Sequence, residues 1–493
     1  MTWQSLLSTA LVGTDRTGEA AARPLAAAAE ATVRRRAGRR PGPPLPLPAT
    51  SAADARPELP EAARRRLTAL LAERRGGDPT LVSMGELLPQ WLAAARGHGY
   101  RAPRESVPAL LDAGRARSEL RADVVALAGP LGRRLAEANP DWRYVLRTAV
   151  SDADAGVEPD LTLWQEGLFA ERVTQLTRLR RRDPGAGLEL LRSTWRSERA
   201  EDRLLFLDAL QDGLSLADEP FLEEALSDRA KNVRTTAAEL LSALPGSALS
   251  LRMADRASAC VRLTGTVGAP LLEVEPPREC DTAMRRDGIA PTSPTGRGDR
   301  AYWLGEIVAA APLSVWTEQL GSAERMVAVP VAGEWRAELH DAWARAAVRQ
   351  ADAAWAHALL NGPTEPAVGT AAKLLTVLPP EQRAAWTARF LTEHGLADAF
   401  QLLVPCTAPW PRELSQAVVS ALARAARRGG YPWSHSGVLG LAERSLAPET
   451  APLIDELGEA GSAAWAEIFA NLAGTLRLRA TMLSELSPAP CDR

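Results

Sequence analysis

One helical pattern occurs twice in this chain. The stretch TAAELLSALP, residues 236–245, returns 134 positions later as TAAKLLTVLP, residues 370–379, with seven of ten residues identical. A helical hairpin cannot bury its apolar face alone, so stacked hairpins reuse one helix solution, and this separation holds about three repeats of roughly 40–47 residues. We therefore interpret the two stretches as copies of a repeat. Chance, in a chain dominated by Ala and Leu, is the alternative.

The first copy lies in a predicted pair of helices, PFLEEALSDRAKNVRTTAAELLSALPG, residues 220–246. Apolar residues recur at helical spacing on both sides of a tight turn, and Pro245-Gly246 ends the second helix. The small Ala237 and Ala238 allow close approach of another helix. The residues of the two apolar faces are Phe221, Leu222, Ala225 and Leu226, followed by Val233, Ala237, Leu240, Leu241 and Leu244.

The same stretch has a proline, a run of leucines, an Asp at the turn, a Val-Arg pair and small residues. In order, these are Pro220, Leu222, Leu226, Asp228, Val233, Arg234, Ala237 and Leu241. This pattern resembles a HEAT repeat. In HEAT proteins the equivalent Asp and Arg form hydrogen-bonded ladders between repeats, which implies structural roles for Asp228 and Arg234. The expected fold is mainly all-α, a HEAT-like α-solenoid of helical hairpins with a small inserted β-hairpin and loop.

Composition divides the chain into four expected regions. Residues 1–150 form a basic helical region, interrupted at 38–60 by a Pro-rich segment that we interpret as a linker. A Pro-rich ligand for a partner domain is the alternative for that segment. HEAT-like repeats are expected at 161–257, an insertion at 258–300, and Trp-rich helical repeats at 301–487.

The insertion is the main candidate for a binding element. Residues 261–277, VRLTGTVGAPLLEVEPP, are rich in β-branched residues around glycine and predict a hairpin. The polar segment 281–300 is expected to leave the surface of the repeats, where long ordered loops often carry function, with disorder as the alternative. Its candidate interaction residues are Asp287, Gly288, Arg297, Asp299 and Arg300.

Tryptophan marks the helices of the last region. Nine of the 14 tryptophans lie from residue 303 onward. One predicted helix places five large and small apolar residues on a single face, as expected for packing between helices rather than for stacking on a ligand. These residues are Trp335, Leu339, Ala342, Trp343 and Ala346.

No motif for chemistry is found in the sequence. There is no G-x-x-x-x-G-K-[ST], no HExxH and no G-x-S-x-G, and the four cysteines form no C-x-x-C pair. The acidic stretch 152–160 departs from a calcium loop at three positions, including Leu163 where a bidentate Glu is required. We therefore expect no enzymatic activity, no cofactor, no metal and no small-molecule substrate. Without an apolar run long enough to span a bilayer or a secretory signal, a cytoplasmic protein is expected.

Charge is distributed unevenly along the chain. Residues 1–150 carry 23 Arg against 15 Asp plus Glu, a net of +8, which leaves −11 for the remainder. A basic end suggests the alternative function of a helical-repeat protein that binds nucleic acid, with affinity that falls steeply with salt. The acidic remainder disfavours that alternative. Its arginines would be Arg34, Arg35, Arg36, Arg39, Arg40, Arg64, Arg65 and Arg66.

Three longer stretches carry a second resemblance: residues 6–16, 204–249 and 285–316. Together they resemble an uncharacterised bacterial family known as a domain of unknown function. Genes of that family typically neighbour those for a MoxR-type AAA+ ATPase, a von Willebrand factor A protein and a SWIM zinc-finger protein. The resemblance implies a scaffold or adaptor whose protein partner is the AAA+ ATPase, the von Willebrand factor A protein or both.

Overall fold

The computed structural model describes residues 3–12, 22–37, 54–72, 84–148, 161–266, 268–294, 296, 298–458 and 462–487. Most of the predicted Pro-rich linker, the acidic stretch 152–160, and the candidates Arg39, Arg40 and Arg297 lie outside these residues. Over the described part of the chain no helix is both long and apolar enough to cross a bilayer.

Twenty-seven α-helices and one pair of β-strands lie in the described residues, which confirms the prediction of a mainly helical fold. The helices before the strands are α1 (Trp3–Val12), α2 (Ala22–Ala37), α3 (Glu61–Ala72), α4 (Met84–Gly97), α5 (Val107–Ala116), α6 (Arg121–Ala138), α7 (Tyr144–Thr148), α8 (Leu161–Glu166), α9 (Phe169–Arg182), α10 (Pro184–Thr194), α11 (Ala200–Ala209), α12 (Glu219–Ala225), α13 (Lys231–Ser242) and α14 (Ala248–Cys260).

Two strands and thirteen further helices follow. They are β1 (Val261–Thr266), β2 (Ala269–Val274), α15 (Thr282–Arg286), α16 (Asp299–Ala310), α17 (Ser314–Leu320), α18 (Ala323–Ala328), α19 (Arg336–Arg349), α20 (Ala353–Leu360), α21 (Val368–Val377), α22 (Pro380–His394), α23 (Ala399–Leu403), α24 (Arg412–Arg427), α25 (Ser436–Ser445), α26 (Ala451–Asp455) and α27 (Ala463–Ser484).

The chain forms two compact units. The first contains residues 1–59 and 95–149, and the second contains residues 60–94 and 150–493. Residues 60–94 lie in the second unit, where Arg66 on α3 forms an ion pair with Glu485 at 2.8 Å.

In the first unit, α5 packs on α6, and α6 packs on α7. The core between them contains the fully buried Leu110, Leu111 and Leu120. The Tyr144 hydroxyl donates a hydrogen bond to the carbonyl oxygen of Leu111 at 2.9 Å, which ties α7 to α5.

In the second unit, consecutive helices pack side by side, because each has one apolar face. Helix α11 contacts α13, α13 contacts α16, α16 contacts α19, and α19 contacts α21. The two copies of the repeated stretch are α13 and α21. Matched residues are buried in both, Ala237, Leu240 and Leu241 in the first copy and Ala371, Leu374 and Leu375 in the second. The repeated letters therefore specify the same buried helix face.

The predicted pair of helices at 220–246 is confirmed as α12 and α13. Phe221 and Leu222 are buried on the first, and Val233 is buried on the second. The prediction that tryptophan packs between helices also agrees with the structure. Trp343 is fully buried, with ring centroids 5.7 Å from Trp316 and 5.4 Å from Trp355, and these rings form part of the core.

The predicted hairpin is present as antiparallel β1 and β2, paired from Val261–Val274 to Thr266–Ala269. Leu272 is buried, and its backbone is bonded to a distant loop. Its N–H donates to Pro330 O at 2.9 Å, and its carbonyl accepts from Ala332 N–H at 2.8 Å. The hairpin is therefore attached to the helical body rather than separate from it.

A buried ion pair joins the helices near the start of the second unit. Arg180 on α9 is 0 % exposed and donates to both carboxylate oxygens of Asp218, at 2.8 and 2.9 Å. Its guanidinium also donates to the carbonyl oxygens of Leu210 and Gly213, at the end of α11. Asp218 in turn accepts from the Ser215 N–H at 2.9 Å. All these polar groups are satisfied without water, as burial requires.

The pair gives a first prediction. Replacement Arg180→Ala leaves a buried carboxylate and several carbonyls without a donor, so we expect the free energy of unfolding to fall by about 3–5 kcal/mol. Arg181→Ala is the matched control, since Arg181 is 68 % exposed and pairs with Asp212 on the surface, where a loss of about 0–1 kcal/mol is expected. Urea unfolding of both variants measures the difference. Equal decreases in the free energy of unfolding would show that the buried ion pair stabilises the fold no more than the surface pair does.

A second prediction concerns His340 on α19. The side chain is buried, and its Nε2 has no hydrogen-bond partner among the described residues. Burial, together with the charge of Arg336, lowers the pKa of His340 to about 4. In the unfolded chain His340 takes up a proton near pH 6.5, whereas in the folded chain it does so only near pH 4. The free energy of unfolding therefore falls by about 3 kcal/mol as the pH drops from about 6.5 to 4. His340→Leu should flatten this part of the stability profile, whereas exposed His357→Leu should leave it steep.

Candidate interaction site

The candidate Asp287 follows α15 and is buried at 4 % exposure. Its carboxylate accepts hydrogen bonds from two arginines of α14, from Arg252 Nη2 at 2.8 Å and from Arg256 Nη1 at 2.6 Å. Arg252 also contacts Glu223 of α12 at 3.0 Å. The segment is therefore fastened to α14 by a buried carboxylate between two guanidinium groups.

Apolar contacts support the same attachment. Cys280, Met284 and Ile289 are buried in the main core of the second unit. Gly288 has φ +93°, and a Cβ there would lie 2.8 Å from the Cβ of Ala238 on α13. Only a glycine fits this backbone conformation and this close approach. The expectation that the whole segment 281–300 leaves the surface is thus corrected for residues 281–289, because their apolar side chains fill the core.

Most of the described residues between 290 and 300 are exposed, and some of them form hydrogen bonds within the chain. The carboxylate of Asp299 accepts from the Ser293 N–H at 2.8 Å, and Arg300 donates to Pro276 O and Pro277 O at 2.9 and 3.2 Å. Asp299 and Arg300 themselves remain exposed. Their role in an interaction stays a prediction.

The expected ladder residues make different bonds from those implied. The carboxylate of Asp228 accepts from Arg203 Nη2 of α11 at 3.1 Å and from the Ala230 N–H at 2.8 Å. Arg234 Nη1 donates to the backbone oxygens of Asp228 and Arg229, at 2.7 and 3.0 Å. Asp228 thus links neighbouring helices, while Arg234 closes the turn between α12 and α13. Structural roles for both stay a prediction.

An open cleft of ≈ 290 Å³ lies between α16 and α19. The two helices are neighbours, and each presents residues three to five positions apart on the facing sides. The lining residues are Ala301, Tyr302, Gly305, Glu306, Glu338, Asp341 and Arg345. Three carboxylates against one guanidinium give the cleft a net negative charge.

Arg345 organises the cleft. Its Nη1 donates to Glu306 Oε1 at 2.5 Å, and its Nε lies 3.6 Å from Asp341 Oδ2. A Cβ on residue 305 would lie 2.8 Å from Arg345 Nη2, so Gly305 leaves the space in which the guanidinium lies across α16. Burial raises the pKa of Tyr302, and the nearby Glu306 carboxylate adds to this effect.

Glu338 is the free carboxylate of the cleft. It is half-buried, and no hydrogen bond or ion pair to it occurs among the described residues. A carboxylate beside a phenol and an open space suits the ammonium or guanidinium of another chain, by a charge-assisted hydrogen bond. In the described part of the chain no group of three or more His, Cys, Asp and Glu residues is arranged to hold a metal ion.

Comparison with known proteins adds the family. Residues 5–486 match a family described as "Family of unknown function (DUF5691)". The chain belongs to this family. The predicted resemblance to a domain of unknown function is confirmed to that extent. No curated protein and no solved structure matches the chain.

The DUF5691 match includes every residue of the cleft, which the sequence patterns did not single out. The spacing of these residues is helical. Tyr302 and Glu306 are four positions apart, Glu338 and Asp341 are three apart, and Asp341 and Arg345 are four apart. Each set occupies one helix face, but single helix faces with mixed charge are usually solvated surfaces. Only the pairing of α16 with α19 brings the two sets together.

The position of Asp287 gives a third prediction. Asp287→Ala removes the shared partner of Arg252 and Arg256, so the free energy of unfolding should fall by about 3 kcal/mol, as when a buried charged partner is lost. Asp299→Ala, in the exposed part of the same segment, should cost less than about 1 kcal/mol. Thermal melting of the two variants tests this difference. An Asp287→Ala protein as stable as the parent would contradict the attachment described above.

Proposed function

We propose that this chain is a non-enzymatic protein-interaction scaffold, and that its α16–α19 cleft receives a Lys or Arg side chain of a partner. The observation that carries the proposal is the open cleft with the half-buried, unpaired carboxylate of Glu338. The half-buried Glu338 carboxylate is open to the cleft, so an incoming cation can form a charge-assisted hydrogen bond with it. The side-by-side helices hold the site without any loop closing over it.

The scaffold is proposed to be a HEAT-like solenoid. Support comes from the equivalent burial of α13 and α21 and from the Arg203–Asp228 ion pair between adjacent helices. Paired helices that contact their neighbours are the unit from which such arrays are built. An array of this kind presents a long surface, which suits grasping another protein.

The proposed partner is a MoxR-type AAA+ ATPase, a von Willebrand factor A protein, or both, in a chaperone-like system of the cytoplasm. This follows the family resemblance of the sequence. The chain has no phosphate-binding G-x-x-x-x-G-K-[ST], so ATP hydrolysis in the proposed system belongs to the partner.

The arginines of the nucleic-acid alternative also lie near carboxylates of this chain, one of them in a part-buried ion pair. Arg66 is bonded bidentately to Glu485, with its side chain 19 % exposed, and Arg64 and Arg65 lie 3.7 and 3.8 Å from Glu61. Arginines held by carboxylates release fewer counterions from a phosphate backbone. The scaffold remains the proposal that these contacts support.

The test uses the purified chain with the AAA+ ATPase and the von Willebrand factor A protein from the same organism. We expect co-elution on size-exclusion chromatography and no ATP hydrolysis by the chain alone. Glu338→Arg should weaken the complex about tenfold, as for loss of a partly buried charge pair at an interface.

Glu318→Arg on α17 is the charge-matched control, because Glu318 is exposed and lies outside the cleft. It should leave the complex unchanged. Independent elution of all three proteins, with and without nucleotide, contradicts the proposed partners. Equal weakening by both variants contradicts the cleft as the contact.

A further inference from the structure

Two large aromatic side chains face solvent in the loop between α24 and α25. Tyr431 is 78 % exposed and Trp433 is 74 % exposed. Seven other tryptophans of the described residues are less than 2 % exposed, so the exposure of Trp433 contrasts with the burial of these tryptophans. Exposed aromatic groups that lie close together mark interaction surfaces more often than isolated apolar side chains do.

The loop is held firmly in place. Trp465, which is buried, donates its indole N–H to the carbonyl oxygen of Gly430 at 2.7 Å. Pro432, between the two aromatics, is buried. The Ser434 N–H and hydroxyl both donate to the carbonyl oxygen of Tyr431, at 3.2 and 2.5 Å. The backbone is thus anchored on its inner side, which reduces the cost of ordering the loop on binding.

Two arginines precede the aromatic residues in the chain. Arg427 ends α24 and Arg428 follows it, and both are exposed. Among the described residues neither makes an ion pair. A helix carboxyl terminus accommodates cations, which accounts for their position but leaves their charge available. Two free guanidinium groups next to a tyrosine and a tryptophan give the residue types that dominate binding energy at protein interfaces.

We propose that Arg427, Arg428, Tyr431 and Trp433 form a docking surface for an acidic, partly apolar segment of a protein. The guanidinium groups pair with carboxylates of that segment, and the two rings cover its apolar side chains. A nucleic acid would also offer negative charge, but stable binding needs many phosphate contacts. Arg427 and Arg428 supply only two guanidinium groups, which is too few for binding along a phosphate backbone but matches the carboxylates of a short acidic segment. Charge complementarity therefore favours a short acidic protein segment.

A further partly exposed aromatic side chain lies on a neighbouring helix. Phe400 on α23 is 46 % exposed, and its ring lies against Gly437 on α25, where a Cβ would be 2.9 Å from the ring. Gly437 is four residues after Trp433. An extended segment that covers Trp433 has further apolar surface within reach.

This inference rests on the proposed function as a protein-binding scaffold, but it uses none of the α16–α19 cleft residues. The two sites have opposite charge, so they select different partner chemistry: a basic side chain in the cleft and an acidic segment at the loop. One partner with both features, or two partners, can occupy the chain together.

The experiment measures fluorescence anisotropy of a labelled short peptide that alternates glutamate with leucine, titrated with the full chain. We expect micromolar binding that weakens at least tenfold in the double variant Tyr431→Ala/Trp433→Ala and at least tenfold in Arg427→Glu/Arg428→Glu. All four residues are exposed, so circular dichroism and melting should match the parent. The peptide with lysine in place of each glutamate should not bind.

Two controls separate this site from the cleft. Glu338→Arg should bind the acidic peptide as the parent does, even where it fails with the AAA+ ATPase or the von Willebrand factor A protein. An oligothymidylate of equal charge should bind more weakly than the peptide. No binding of the acidic peptide, binding that survives both double variants, or tighter binding of the oligothymidylate through the same residues would overturn the proposal.

Discussion

The second unit depends on how its helix ends are satisfied inside the core. Every helix leaves carbonyl groups without intrahelical partners at its carboxyl end, and these groups need donors where the end packs against other helices. Arginine guanidinium groups donate hydrogen bonds to several of these carbonyl oxygens. Arg180 bonds the carbonyls that follow α11, Arg383 bonds those of Leu375 and Leu378 at the end of α21, and Arg479 bonds Leu446 after α25.

This use of arginine explains how an arginine-rich composition is compatible with a packed core. The chain has only two lysines, Lys231 and Lys373. A guanidinium offers five donors in a planar fork and remains charged when buried, so one side chain can serve several carbonyls and a carboxylate together. Arg180 shows this use most fully, since it contacts Asp218 and the chain after α11 at once. At these positions arginine acts as an internal connector.

The two candidate binding surfaces follow from the same packing. The cleft exists because α16 and α19 lie beside each other and because Gly305 leaves space for Arg345. The aromatic loop exists because buried Trp465 holds Gly430 in place while Tyr431 and Trp433 remain outside. In both cases buried groups set the position, and a small number of exposed or half-buried groups provide the chemistry. That division suits a protein that binds others on a rigid surface.

Patterns in the sequence were enough to predict several helices and the β-hairpin. Helical spacing at 220–246 predicted α12 and α13, β-branched residues around glycine predicted the β1–β2 hairpin, and the repeated ten residues predicted two helices with one buried face. These patterns are local, because a helix or hairpin forms among residues close in sequence. Tertiary packing was needed to bury Asp287 between Arg252 and Arg256, to bring residues 60–94 into the second unit, and to place Glu306 and Glu338 in one cleft. Polar residues look alike in sequence whether solvated or buried, and their partners lie on helices far away in the chain, so their roles follow from packing alone.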